Sequence, residues 1–172
     1  MEYNTLRNLL LFISNLILVS SSYAAIFSLH STGFNEGEKL NPVYTCDGKD
    51  ISPELKWDHA PLKTVSFALI LSDPDAPNGT FYHWALFNIP RTVNTISENS
   101  VVPFAKIAKN SWGQSQYNGP CPPKGSEHRY IFSLYALDTM LKLDSDADAL
   151  SLLNAIQNHV LGVAEVKTKY AR

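Results

Sequence analysis

The chain has 172 residues, of which 45% are apolar and 17% are charged, and its formal net charge is −2. This length and mixture are typical of one globular domain and exclude a disordered or fibrous protein. A nucleic-acid-binding surface is not expected, because it would need clustered Lys and Arg and the sequence has no basic run.

The first residues differ in character from the rest of the chain. The apolar stretch Leu9–Val19 is followed by Ser22–Ala24, which offers small residues at the two positions that a signal peptidase reads. The stretch is too short for a membrane span, which takes about 20 apolar residues. We therefore predict a signal peptide over residues 1–24 and an exported, periplasmic or secreted domain over residues 25–172 that is not an integral membrane protein. A buried N-terminal helix is the alternative.

Three segments of the mature chain predict central β-strands: 65–72, 81–89 and 129–137. Each is rich in β-branched and aromatic residues and is apolar on both faces, as in strands that are covered on both sides. Segments 26–31 and 163–167 are weaker strand candidates.

Turn-forming residues are concentrated between these strands. Residues 41–53, 73–79 and 118–126 are rich in Pro, Gly, Asn and Asp, and we expect them to be loops.

Only one segment has a clear helical pattern. Its apolar stripe is formed by Ala149, Leu153, Ile156 and Val160. Asp144 or Ser145 could cap its start, and Gly162 could end it. The predicted fold class is therefore mainly β with minor α.

Motifs of common enzymes are missing from the sequence. It contains no HExxH, CxxC, P-loop or dinucleotide fingerprint. The five histidines have no metal-ligand spacing, so we expect neither a metal site nor a cofactor.

Polar residues occur where the predicted strands meet the loops. Asp73 and Asp75 directly follow the first central strand, and His83 lies inside the second. We expect His83 to face the same side as Ala85 and to bond to the Asp73/Asp75 pair, because a buried imidazole needs a hydrogen-bond partner. A nearby carboxylate would favour its charged form.

A second polar group opens the third central strand. His128 and Tyr130 share one face there, and the preceding loop, 118–125, has glycines that allow backbone amides to approach a ligand. Imidazolium, phenol and amides together would suit a phosphate or a carboxylate. The alternative is ordinary turn chemistry with a satisfied His–Asp pair in the core.

Cys46 and Cys121 are the two cysteines of the chain. They could form a disulfide in an oxidising compartment, or remain separate thiols.

Several of these residues form blocks that resemble a known family. Asp73–Pro77, His83-Trp84 and Gly119–Tyr130 are similar to the signature blocks of the phosphatidylethanolamine-binding proteins, and Tyr44–Gly48 resembles the bacterial Raf-kinase-inhibitor-like (YbhB/YbcL) branch. The resemblance implies an antiparallel β-sandwich-like core with a few peripheral helices. It also implies a pocket for phosphate, acetate or a phosphoryl headgroup. The pocket residues implied are Asp73, Asp75, His83, Gly119, Cys121, Pro122, His128 and Tyr130.

These observations favour an exported, non-enzymatic binding protein whose pocket holds a small anion and which modulates a protein partner. An inhibitor of a protease or kinase that acts through surface loops is the main alternative. A hydrolase that uses His83 with Asp73 or Asp75 as a base is a third, although no nucleophile is identifiable.

Overall fold

The computed structural model describes residues 25–172, so the predicted signal peptide lies outside the described residues. Two antiparallel sheets face each other. The small sheet has the order β1-β2-β5 and the large sheet β6-β4-β3-β7-β8. The strands of the two sheets are β1 (Ser28–Ser31), β2 (Leu55–Asp58), β3 (Ser66–Asp73), β4 (Phe81–Pro90), β5 (Thr95–Ile96), β6 (Lys106–Ile107), β7 (Glu127–Leu137) and β8 (Val160–Ala171). Helix α1 (Ala149–Ile156) and a short 3-10 helix (Pro42–Tyr44) complete the elements.

The main core lies between the two sheets. Leu55 and Trp57 of the small sheet pack with Phe67, Leu69 and Phe132 of the large sheet in one buried cluster. A second cluster joins the opposite face of the large sheet to α1. The mainly β class with an antiparallel sandwich core is thus confirmed.

The three predicted central strands are present as β3, β4 and β7. β3 is buried along nearly its whole length because β4 and β7 flank it and both of its faces are covered. In β7 the predicted alternation holds, since Tyr130 and Phe132 face the sandwich core while Tyr135 and Leu137 face α1. The three predicted loop regions lie between strands: 41–53 between β1 and β2, where it includes the short 3-10 helix, 73–79 from the end of β3 towards β4, and 118–126 between β6 and β7.

The predicted helix was placed correctly but its bounds were wrong. Asp148 caps α1, since its Oδ1 accepts a hydrogen bond from the amide of Ser151 at 2.8 Å. The buried stripe uses Leu152 rather than Leu153. Val160 and Gly162 belong to β8, where pairing with β7 overrides the helical pattern and extends the predicted strand at both ends.

The expected orientation of His83 was also wrong. Leu71 pairs with Trp84 and Ser72 with Tyr82, so His83 is an extra residue in a β-bulge. A bulge shifts the faces of the following side chains. The His83 ring therefore lies against Tyr130, at 5.4 Å between centroids, on the sandwich side of the sheet, whereas Ala85 faces α1.

Antiparallel pairing brings the polar residues to one end of the large sheet. Asp73 ends β3 and pairs with Phe81 at the start of β4, while His128 near the start of β7 pairs with Tyr170 near the end of β8. We call this the pocket end. The far end holds the start of β3, the end of β7 and the start of β8. No helix within residues 25–172 is long and apolar enough to cross a membrane.

Candidate functional site

A cavity of about 190 Å³ opens at the pocket end of the large sheet. Its walls come from the turn after β3, the start of β4, the start of β7 and two loops that cover them. The lining residues are Asp73, Ala76, Pro77, Phe81, His83, Trp112, Cys121, Pro122, Pro123 and His128. Five of the residues that the sequence predicted for the site, Asp73, His83, Cys121, Pro122 and His128, therefore line one cavity.

Asp73 is bonded to His128 rather than to His83. The distance from His128 Nδ1 to Asp73 Oδ2 is 2.7 Å, and both side chains are buried. The other oxygen of Asp73 accepts the amide of Asp75 at 2.8 Å, which closes the turn. The predicted His83–Asp73 bond was wrong because the β-bulge turns His83 toward the opposite wall.

Asp75 does not line the cavity. Its carboxylate forms a two-pronged ion pair with Arg129, with Nη2 to Oδ1 at 2.6 Å and Nε to Oδ2 at 2.8 Å, and also accepts the Arg129 amide. The hydrogen bonds from Arg129 lower the pKa of Asp75 to about 2. Asp75 therefore ties the turn after β3 to β7 from the outside.

His83 is fixed by two backbone carbonyl groups. Its Nδ1 lies 2.9 Å from Asn118 O and 3.1 Å from Gly119 O. Since carbonyl oxygens only accept hydrogen bonds, Nδ1 must carry a proton and donate it. Burial lowers the pKa of His83, which outweighs the opposing effects of these bonds and of Asp73. The expectation of a charged imidazole at neutral pH is not supported.

Tyr130 does not line the cavity, but its ring packs against that of His83, which does. The Tyr130 side chain is fully buried, and its hydroxyl makes no well-formed hydrogen bond within residues 25–172, although it lies near the Asp73 carboxylate and the backbone of Cys121. Trp57 Nε1 in the sandwich core is the other such atom there. Burial, followed by the nearby Asp73 carboxylate, raises the pKa of Tyr130. A buried polar group without a partner is costly, and such groups are candidates for ligand contact.

The loop after residue 118 is anchored firmly. Gly119 N donates to Asp50 Oδ1 at 2.6 Å, and a side chain at Gly119 would clash with the backbone of Tyr44. Gly119 thus supports the loop and does not line the cavity. Cys46 and Cys121 form a disulfide with 5.5 Å between their Cα atoms, which was one of the two alternatives left open by the sequence.

Sequence reasoning missed the aromatic wall of the cavity. The Trp112 ring packs edge-on against Phe81 at 4.5 Å and against His83 at 5.1 Å between centroids, yet 47% of the residue is exposed. A tryptophan in an otherwise polar loop was the available signal. Asn110 was missed as well: it is 3% exposed, and its Oδ1 accepts the amides of Trp112 and Gln114, both at 3.0 Å.

Two larger depressions occur elsewhere on the described residues. One of about 480 Å³ lies beside the start of α1, and one of about 370 Å³ lies between residues 50–52 and 99–107. We favour the smaller cavity as the functional site because buried ionisable groups converge on it. Size alone does not indicate function.

Comparisons with known proteins agree with this architecture. The sequence model of the phosphatidylethanolamine-binding protein family matches residues 30–171. The chain belongs to the phosphatidylethanolamine-binding protein family. Among relatives, a UPF0098 protein of Methanothermobacter thermautotrophicus is 43% identical over 150 residues, which covers 84% of this chain and 99% of that protein. A UPF0098 protein of Aquifex aeolicus is 39% identical over 162 residues, or 88% of this chain and 92% of that protein.

Solved structures of this family are similar in fold. Escherichia coli YbcL, described as a new member of the mammalian PEBP family, superposes with a TM-score of 0.82 at 30% identity and covers 86% of this chain and 99% of its own. The PEBP homolog CT736 of Chlamydia trachomatis gives a TM-score of 0.81 at 33% identity, with 86% of this chain and 98% of its own covered. The resemblance predicted from Asp73–Pro77, His83-Trp84 and Gly119–Tyr130 is therefore confirmed at the level of the family.

Proposed function

We propose that this family member is a non-enzymatic binding protein that holds a small oxyanion, such as phosphate or a phosphoryl headgroup, in the cavity at the pocket end. The observation that carries the proposal is the buried Tyr130 hydroxyl, which makes no well-formed hydrogen bond within residues 25–172 and lies near Asp73 of the cavity wall. A phosphate oxygen that reached it would satisfy a polar group that otherwise destabilises the fold.

The shape of the cavity supports a small ligand. A volume of about 190 Å³ lies below the range of about 300–1,000 Å³ that is common for drug-sized ligands. The prolines of the 119–125 loop hold its backbone close to the cavity, and backbone amides in such loops are common anion contacts.

The cavity wall does not favour catalysis. Its histidine with a carboxylate partner, His128, shares the wall with no serine or threonine, and its cysteine, Cys121, is bonded to Cys46. Covalent catalysis would need an activated nucleophile within hydrogen-bond reach of a base. The hydrolase hypothesis is therefore the weaker one.

The proposal also includes export. A disulfide between Cys46 and Cys121 fits an oxidising compartment such as the periplasm. Fractionation of cells that express the whole chain, with N-terminal sequencing of the product, tests this part. Product that begins near Ala25 in the exported fraction is expected, and a full-length chain in the cytosol would count against it.

An NMR titration with phosphate and O-phosphorylethanolamine tests the pocket. We expect saturable shifts at the amides of residues 119–125 that weaken at least tenfold in Tyr130→Phe, which removes only the unpartnered hydroxyl. The matched control is Tyr135→Phe, which makes the same change on the opposite face of β7. Equal losses in the two variants, or no shifts in the native protein, would refute the site.

A second candidate function rests on a surface loop. Val101 and Phe104 are 85% and 89% exposed, and Phe104 has a φ of 66°, which is unfavourable for a bulky residue. Inhibition of a protease or kinase through this loop would be abolished by Phe104→Ser and unaffected by Tyr130→Phe. The reverse pattern would assign any partner effect to the pocket.

A further inference from the structure

We propose that anion binding in this pocket is coupled to a proton: the site takes either an oxyanion that carries its own acidic hydrogen, or a proton-free oxyanion together with one proton on His83 Nε2. The inference rests on the proposed function, because it concerns the same cavity. It adds to the proposed function which protonation state of the anion is bound, and it identifies His83 as the residue whose own protonation depends on that state.

The first step is the fixed tautomer of His83. Nδ1 donates to the carbonyl oxygens of Asn118 and Gly119, so a neutral ring has its lone pair on Nε2. Nε2 has no hydrogen-bond partner within residues 25–172, and it is not among the fully enclosed unpartnered atoms, so it is accessible from the cavity that His83 lines. A proton-free anion would therefore meet a lone pair there.

The second step is the charge of the wall. None of the ten lining residues is a lysine or an arginine, and the single carboxylate among them is Asp73. When His128 carries a proton, its charge is matched by Asp73, to which it is bonded at 2.7 Å. Arg129, which follows His128, is paired with Asp75, and Arg172, whose Nη1 lies 3.4 Å from Cys121 Sγ, is paired with Asp47. Lys124 follows Pro123 but does not line the cavity. A dianion would thus meet no unpaired lysine or arginine in the wall of a partly buried site, which is unfavourable.

The third step concerns what surrounds the His83 ring. The β3 side contributes Asp73, β7 contributes Tyr130, and Asp50 stands behind Gly119; Phe81 and Trp112 add uncharged aromatic edges. Burial keeps the pKa of His83 below its usual value, so the ring is neutral near pH 7. An anion beside Nε2 would favour the imidazolium form, and Nε2 would then take its proton from solvent.

Two classes of oxyanion follow from these steps. An acid monoanion, such as dihydrogen phosphate or a phosphate monoester that keeps one hydrogen, can donate its O–H to neutral Nε2 and needs no proton from solvent. A proton-free oxyanion needs His83 to be charged, so its affinity must fall as pH rises.

Sulfate is the probe that separates these cases, because it carries no proton between about pH 5 and pH 8 and any pH dependence then belongs to the protein. We would measure sulfate affinity in this range by NMR, and follow the rings of His83 and His128 with and without saturating sulfate. Above the His83 midpoint we expect affinity to fall about tenfold per pH unit, which corresponds to uptake of one proton. Saturating sulfate should raise the midpoint of His83 by at least about one pH unit.

His83→Gln should bind sulfate weakly and with no pH dependence, and the matched control His30→Gln should behave as the native protein. If the His83→Gln variant does not fold, the ring titration of the native protein still decides. Sulfate binding that is flat with pH, or a proton taken up by His128 instead, would overturn the inference and leave the anion site standing. No binding of sulfate or phosphate even at about pH 5 would refute the proposed function and this inference together.

Discussion

The two ends of the large sheet handle buried polar groups in opposite ways. At the far end, Asn88 is buried, and its side chain forms hydrogen bonds in both directions with the backbone of Leu141, at 2.8 and 3.0 Å. Ser66 likewise donates to Thr139 O. At the pocket end, Tyr130 and His83 each keep one polar atom that makes no well-formed hydrogen bond within residues 25–172.

A matched pair of asparagines makes the comparison direct. Asn88 fastens the segment after β7 at the far end, and Asn110 fastens the 111–118 loop at the pocket end. Both are buried, and in both the amide oxygen and the amide nitrogen form hydrogen bonds. A buried asparagine therefore fixes a neighbouring segment at both ends of the sheet. The two ends differ because the segment fixed by Asn110 contributes to the wall of the candidate cavity. We therefore expect mutation of Asn88 to lower stability alone, and mutation of Asn110 to lower both stability and ligand affinity.

The largest expected effect on stability comes from the disulfide at the pocket end. Cys46→Ser combined with Cys121→Ser removes a link between residues 75 apart, which on the chain-entropy model lowers the free energy of unfolding by about 4 kcal/mol. Urea unfolding of the variant and of the native protein measures the difference. Native protein treated with a dithiol should show the same free energy of unfolding as the variant. A loss below about 1 kcal/mol would mean that the hydrogen bonds of the loop hold it in place without the disulfide.

The next effect is expected from Asn110→Ala. The change leaves the amides of Trp112 and Gln114 without their acceptor and should lower the free energy of unfolding by about 3 kcal/mol. Because Trp112 would lose its fixed position against His83, phosphate affinity should fall about tenfold, which corresponds to about 1.4 kcal/mol. Trp112 fluorescence reports the movement. Unchanged affinity in a folded variant would show that the aromatic wall does not contribute to binding.

The family and the positions of the long central strands along the chain could be predicted from sequence because their signals are local. A continuous apolar run such as 66–71 has few alternatives to a central strand, and blocks such as Asp73–Pro77 have a recognisable spacing. The predicted strands and the family are confirmed for this reason. The helix end at Ile156 was missed because Val160 satisfies a helical pattern and a β-ladder equally well, and only pairing with Leu137 decides.

The pairing of the site residues could not be predicted for a different reason. Whether Asp73 meets His83 or His128 depends on one extra residue in β4, and a β-bulge leaves no clear mark in the sequence. Which ring nitrogen of neutral His83 carries the free lone pair depends on two backbone carbonyl groups that lie 35 and 36 residues further along the chain. Composition indicates which residue types gather at the site, while their protonation follows from contacts that are distant in sequence.

A smaller effect is expected from Asn88→Gly at the far end. Glycine keeps the left-handed backbone conformation, for which φ is 56°, so the variant reports mainly the two lost hydrogen bonds. We expect the free energy of unfolding to fall by about 2 kcal/mol, with phosphate affinity within twofold of native. Urea unfolding and the phosphate titration, made on this variant and on Asn110→Ala, form the test. A loss of affinity in both would mean that the two ends are coupled through the sheet.

The smallest effect is expected from Asp75→Asn, which breaks the exposed ion pair with Arg129 on the outside of the pocket end. A folded-state pKa of about 2, below the usual value of 3.8, means that the charged carboxylate stabilises the fold above about pH 4, and that this contribution is lost as the pH falls through about 2. Since Arg129 is largely exposed, solvent screening should limit the effect to less than about 1 kcal/mol. The difference in unfolding free energy between native and variant should therefore shrink between pH 4 and pH 2. A difference that persists at about pH 2 would show that Asp75 stabilises the fold mainly through its hydrogen bond with the backbone amide of Arg129 in β7. The ion pair with the Arg129 side chain would then contribute little to holding the turn after β3.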